Sequence, residues 1–88
     1  MQVTFRSSFL RDLKKIKDQP LLDRIAQAIE SVEQASDLQD LSDLKKLSGF
    51  QDFYRIRIGD YRLGIALADG TIEFVRCLSR KEMYRFFP

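Results

Sequence analysis

Arg55, Arg57 and Arg62 stand close together in this 88-residue chain, and Arg80 and Tyr84 follow in its tail. A guanidinium offers a rigid fork of donors that matches phosphate oxygens in pairs. A tyrosine stacks on a base or moves a proton. These residue types suit holding a phosphodiester and stabilising the negative charge that builds on it during displacement. Arginine is a poor general base, since its pKa exceeds about 12. Proton removal would therefore fall to Tyr84, to Glu82 or to a group from outside the chain.

Other chemistries are excluded by what the chain lacks. It contains no histidine and one cysteine, Cys77. Ser-His-Asp and Cys-His nucleophiles and His-ligated metals are out of reach, as are an internal disulfide and a multi-cysteine zinc site. No carboxylate cluster of the kind a two-metal nuclease uses is visible. No metal or cofactor is expected.

Whether the arginines meet depends on the strands that carry them. Asp52–Ile58 and Tyr61–Leu67 alternate in polarity around Gly59-Asp60, a two-residue hairpin turn with glycine first. Successive strand side chains point to opposite faces. Ile58 then pairs with Tyr61, Arg57 with Arg62, Ile56 with Leu63 and Arg55 with Gly64. Tyr54, Ile56, Ile58, Tyr61, Leu63, Ile65 and Leu67 form an apolar face, and Arg55, Arg57 and Arg62 cluster on the other. Like charges directly opposite cost up to about 1 kcal/mol. Asp52 and Asp60 lie at the hairpin's ends and do not interleave with the cations. Gly64, beside Arg55, would leave room above the sheet. An anionic ligand would offset this repulsion. The plainer alternative is a solvated basic face, part-neutralised by Glu73 on the neighbouring strand.

The remaining elements frame that hairpin. Gln2–Phe5 reads as a strand, and Ser7 or Ser8 as a helix cap. Phe9, Leu13 and Ile16 make one helical stripe, and Leu22, Ile25, Ile29 and Val32 a second after Asp18-Gln19-Pro20. Ser36–Ser48, with Leu38, Leu41, Leu44 and Leu47, reads as a helical end or a leucine-held loop. Asp69-Gly70 is a further turn, and Thr71–Leu78 a strand covered on both faces. Ser79–Pro88 carries a short helix, with Phe86 and Phe87 plugging the sheet edge. The result is an α+β fold, β-α-α-β-β-β-α. An N-terminal strand and helical hairpin pack on a mainly antiparallel sheet of about four strands. If the last strand lies beside Tyr61–Leu67, Arg80 and Tyr84 return to Arg62.

Length and charge complete the reading. Eighty-eight residues with 44% apolar content make one domain, residues 1–88, and not a disordered chain. No apolar run approaches the roughly 20 residues of a bilayer span, and no signal peptide is visible. A reducing cytoplasm is expected. The net charge is only +2, but residues 23–43 carry six acids against one base, Arg24. From Gly49 onward there are seven bases, six of them arginine.

Three runs carry a family resemblance. They are Leu44-Lys45-Lys46-Leu47-Ser48-Gly49-Phe50, Tyr54-Arg55-Ile56-Arg57-Ile58-Gly59-Asp60-Tyr61-Arg62-Leu63, and Arg80-Lys81-Glu82-Met83-Tyr84-Arg85. Together they resemble the RelE/ParE toxin superfamily of bacterial type II toxin–antitoxin systems. The resemblance implies an endoribonuclease that cuts messenger RNA in the ribosomal A site, without a metal, by attack of the ribose 2′-OH. By position, Arg55 and Arg57 match a strand pair that is lysine in some relatives, and Arg62 the arginine opening the next strand. Arg80 and Tyr84 match a C-terminal pair. Lys45, Lys46, Lys81 and Arg85 are expected to add RNA contacts. Many relatives carry histidine where this chain has Ser79. The implied partners are messenger RNA, the ribosome and a cognate antitoxin, acidic and partly disordered when free. A ParE-like gyrase inhibitor and a degenerate, non-catalytic toxin are the rival readings.

Overall fold

The computed structural model describes residues 1–49 and 51–88; Phe50, which closes the first of those runs, lies outside the described residues. In chain order the elements are β1 (Gln2–Phe5), α1 (Ser7–Lys14), α2 (Gln19–Gln34), β2 (Leu44–Lys46), β3 (Phe53–Ile58), β4 (Tyr61–Ala68), β5 (Thr71–Ser79) and α3 (Arg80–Phe86). A 3₁₀ turn, Leu38–Asp40, precedes β2. The sheet order is β1-β5-β4-β3-β2, with β1 parallel to β5 and the other pairs antiparallel. This is the expected α+β architecture with a fifth strand. The extra strand, β2, comes from the segment whose leucines suggested a helical end or a loop.

The first helix is not capped by a serine. Arg6 occupies the cap position without a side-chain bond. Its backbone N–H still donates to Phe74 O at 2.9 Å, so the sheet ladder holds the chain until residue 6. Ser8 lies inside α1, and its hydroxyl donates to Val75 O at 2.6 Å, tying the helix to β5. The second helix starts more conventionally. The Asp18 carboxylate accepts from Leu21 N at 3.2 Å, and Pro20 stands at the second helical position, where a missing N–H costs nothing.

The sheet is covered on both faces. Phe9, Ile16, Ile25, Val32, Ile56, Ile58, Leu63, Ile65, Ile72 and Phe74 form the larger core beneath α1 and α2. Val75, Leu78, Met83 and Phe87 form a smaller one beneath α3, with Phe53 and Ala66 at its margin. One strand serves both because its side chains alternate, so the adjacent Phe74 and Val75 enter different cores. β5 also bulges: Gly64 pairs with Arg76 and Ile65 with Phe74, so Val75 has no opposite number on β4, and Phe74 and Cys77, three apart, both face the larger core. Phe87 seals the smaller core as expected, whereas Phe86 is half exposed. No helix among the described residues is long and apolar enough to cross a membrane.

Buried charge joins α1 to β5. Asp12, 6% exposed, accepts from Arg76 Nε at 2.8 Å, Arg76 Nη2 at 3.1 Å and Cys77 N at 2.9 Å. Its hydrogen bonds to Asp12 hold the Arg76 guanidinium above its ordinary pKa. Burial, reinforced by the Asp12 charge, pushes the Cys77 thiol up to about 12, so it is inert at neutral pH.

Candidate active site

The β3–β4 hairpin has the register expected from its turn: Ile58 opposite Tyr61, Arg57 opposite Arg62, Ile56 opposite Leu63 and Arg55 opposite Gly64. Gly59 makes this possible by taking φ +56°, which side-chain-bearing residues rarely adopt. β5 returns alongside β4, with Ser79 opposite Tyr61. The backbone N–H of Arg80 then donates to Asp60 O at 2.7 Å, fixing the start of α3 against the hairpin turn. Ser79 caps that helix: its hydroxyl accepts from Glu82 N at 3.3 Å and donates to Glu82 Oε1 at 3.0 Å. The position that is histidine in many relatives thus has a structural duty here.

Arg80 and Tyr84, four apart on α3, share a helix face over the arginine strands. The outcome is a cleft of about 420 Å³ lined by Lys45, Arg55, Arg57, Arg62, Arg80 and Tyr84, with Asp43 and Leu44 at its edge. More capacious hollows lie beside α2, about 540 Å³, and under residues 36–44, about 720 Å³. Neither gathers comparable charge; the first balances Arg24 and Arg57 against Asp40 and Asp43.

Each guanidinium in the cleft is held differently. Arg62 is only 8% exposed, and its Nη1 donates to Gly59 O at 2.7 Å and Tyr61 O at 2.9 Å. Burial lowers its pKa, and Arg55, Arg57 and Arg80 lower it further. Arg57 reaches Asp43 Oδ1 at 3.4 Å, with the two side chains 64% and 51% exposed. Such a pair contributes only about 0–1 kcal/mol. Arg55 Nη1 donates to the Tyr84 hydroxyl at 3.1 Å, and its guanidinium carbon lies 5.5 Å from the Tyr84 ring centroid. The Arg55 hydrogen bond, then that of Arg80, lowers the Tyr84 pKa and brings the phenol nearer to ionisation.

The remaining expected residues divide. Lys45, opposite Arg55, joins the cleft. Lys46 pairs with Tyr54 and lies outside it. Lys81 and Arg85 are exposed about a quarter-turn round α3, with Arg85 over the Phe86 ring, 5.4 Å from its centroid. Glu82 turns toward Ser79 and lines a separate hollow with Asp12 and Cys77, away from the arginines. Glu73 is committed to Arg6 and neutralises none of the cluster. Two expectations need correction. The space left by Gly64 is filled by the Phe87 ring, which a Cβ there would meet at 2.8 Å. The acid that reaches the cluster is not Glu73 but Asp43, from the segment read as a helical end or a leucine-held loop.

Comparison with known proteins converges on one group. Residues 3–84 match a family model described as the ParE toxin of the type II toxin–antitoxin system parDE. Toxin RelE3 of Methanocaldococcus jannaschii is 42% identical over 89 residues, spanning all of both chains. The crystal structure of a RelB–RelE antitoxin–toxin complex from Methanococcus jannaschii matches with TM-score 0.81 and 38% identity, over 97% of this chain and 99% of that one. The YoeB dimer structure from Staphylococcus aureus shares the fold, with TM-score 0.72 and 22% identity over 89% and 94% of the respective chains.

Proposed function

This chain belongs to the RelE/ParE toxin superfamily of type II toxin–antitoxin systems, and we propose that it acts there as a metal-independent endoribonuclease that cuts messenger RNA in the ribosomal A site. The observation that carries the reading is the convergence of Arg55, Arg57, Arg62, Arg80 and Tyr84 on one cleft. In the proposed reaction the ribose 2′-oxygen attacks the adjacent phosphorus and the P–O5′ bond breaks. A 2′,3′-cyclic phosphate and a 5′-hydroxyl are left.

Arg57 and Arg62 face each other across the hairpin and would grip the phosphoryl oxygens as charge accumulates. Each such donor is commonly worth about 3 kcal/mol. Burial of Arg62 against two carbonyls fixes its direction before substrate arrives. Tyr84, its pKa lowered by Arg55 and Arg80, is the best-placed acceptor for the 2′-OH proton. Arg80 then balances the leaving 5′-oxygen, which takes its proton from water or from a ribosomal group. Among the described residues Asp43 is the one carboxylate lining the cleft, and it faces Arg57.

The test uses purified ribosomes programmed with a defined messenger, with new 5′ ends mapped. Arg57→Ala should fold and lose about 100-fold in cleavage rate. Cleavage at the wild-type rate would remove the cleft from the chemistry. Partner chemistry follows from the same surface: a cognate antitoxin would cover the cationic cleft with an acidic segment that orders on binding. The match to the ParE family description keeps a gyrase-directed reading in play. A wild-type protein that blocks gyrase supercoiling and leaves messenger intact would favour it.

A further inference from the structure

A second hollow, of about 470 Å³, lies on the far side of the guanidinium row. It shares Arg57, Arg62, Arg80 and Asp43 with the first cleft and adds Arg24, Gly59 and Asp60. Arg24 is the lone base of the acidic stretch 23–43, yet α2 delivers it to the hairpin turn. A methyl group on Gly59 would sit 3.2 Å from Arg24 Nη1, so the absence of a side chain there gives the guanidinium its space. Arg62 grips the same glycine through its carbonyl oxygen. Among the described residues the Arg24 side chain has no hydrogen-bond or ion-pair partner. Four guanidiniums therefore face this hollow against two carboxylates, and one of those, Asp43, already faces Arg57.

A fourth cation there adds repulsion that no ion pair of Arg24 offsets among the described residues, and Arg24 is exposed and free to point into water. A strand held by one phosphate in the first cleft can carry its next phosphate across the shared wall into the second. We propose that Arg24, with Arg57 and Arg80, forms a second phosphate subsite that holds the phosphodiester next to the one being cut. This rests on the ribonuclease reading and deepens it. Arg24 is a positioning residue for the strand and takes no part in bond breaking.

The experiment has two arms. In the first, a 2′-O-methyl RNA hexanucleotide, which cannot be cleaved, is titrated against the wild type and Arg24→Ala over a range of salt. Loss of one phosphate contact should flatten the slope of log K against log salt by about 0.7. In the second, messenger cleavage on ribosomes should show KM raised about 5- to 10-fold in Arg24→Ala, with kcat within two-fold of wild type. Arg24→Lys should recover part of the loss. An unchanged slope and KM in a wild-type background that cleaves overturns the subsite. So does a loss confined to kcat, which would place Arg24 in the chemistry. If the wild type binds the hexanucleotide with the expected slope change but cuts no messenger, the subsite stands and the ribonuclease reading falls. If the wild type binds no hexanucleotide, the subsite falls.

Discussion

Arg76 and Arg57 are both strand arginines on one sheet, and they are used in opposite ways. Arg76 lies against α1, gripped at two nitrogens by a buried carboxylate that also takes the Cys77 N–H. Arg57 lies on the other face, opposite a second arginine, with one long contact to an exposed acid. The pKa shifts run the same way: Arg76 is raised by its acid, and Arg62, the partner of Arg57 on the ladder, is lowered by burial and neighbouring cations. A cation placed for the fold arrives with its counter-charge, whereas one placed for a ligand is left short of it.

The sharpest way to break this contrast is to remove the acid from the first region. Asp12→Ala strands Arg76 and the Cys77 N–H, and should cost about 3 kcal/mol in urea unfolding. Cleavage per folded molecule should be unchanged. In the second region the pattern should reverse. Arg57→Ala should lose about 100-fold in cleavage, equivalent to about 2.7 kcal/mol in the transition state, while stability moves by less than about 1 kcal/mol. Arg62 is expected to sit between the two types, because it also satisfies two carbonyls. Arg62→Lys is its cleaner variant, since Arg62→Ala adds about 1–2 kcal/mol of instability.

Two smaller effects sharpen the picture. Gly64→Ala puts a methyl into the Phe87 ring and should cost about 1–2 kcal/mol by thermal unfolding. Unaltered stability would mean that the ring moves aside freely. Tyr84 supplies the pH test. Its pKa is lowered by Arg55, so its phenolate forms at lower pH than that of an ordinary tyrosine. Arg55→Gln removes the largest cause and should move the tyrosinate transition in an ultraviolet titration, and the alkaline rise of cleavage, upward. A transition that stays in place would detach Tyr84 from Arg55.

The contrast also explains what the sequence disclosed. Register in the β3–β4 hairpin follows from period-two alternation and a glycine-first turn, so the pairing of Arg57 with Arg62 could be written down in advance. The return of Arg80 and Tyr84 to that hairpin needed only a neighbouring last strand. Asp12 was illegible because its partners lie 64 and 65 residues away, and a single acid on a basic helix looks like surface. β2 was illegible because its three residues, Leu44, Lys45 and Lys46, have no strand preference of their own and are recruited by β3. Gly64 was misjudged for a related reason: the alternation shows a missing side chain but not the ring that another element brings to fill the gap. Arg24 was hidden because nothing in the pattern of α2 shows that the helix carries it to the hairpin turn.

The unmatched residue on β5 has a geometric consequence of its own. Without Val75 the ladder would run on unbroken, with Arg76 still opposite Gly64 and Cys77 still opposite Leu63. Leu78 and the tail would keep their present sides, and the smaller core would lose one apolar side chain. The bulge thus adds a residue to the layer beneath the tail helix without turning that helix away from the arginines.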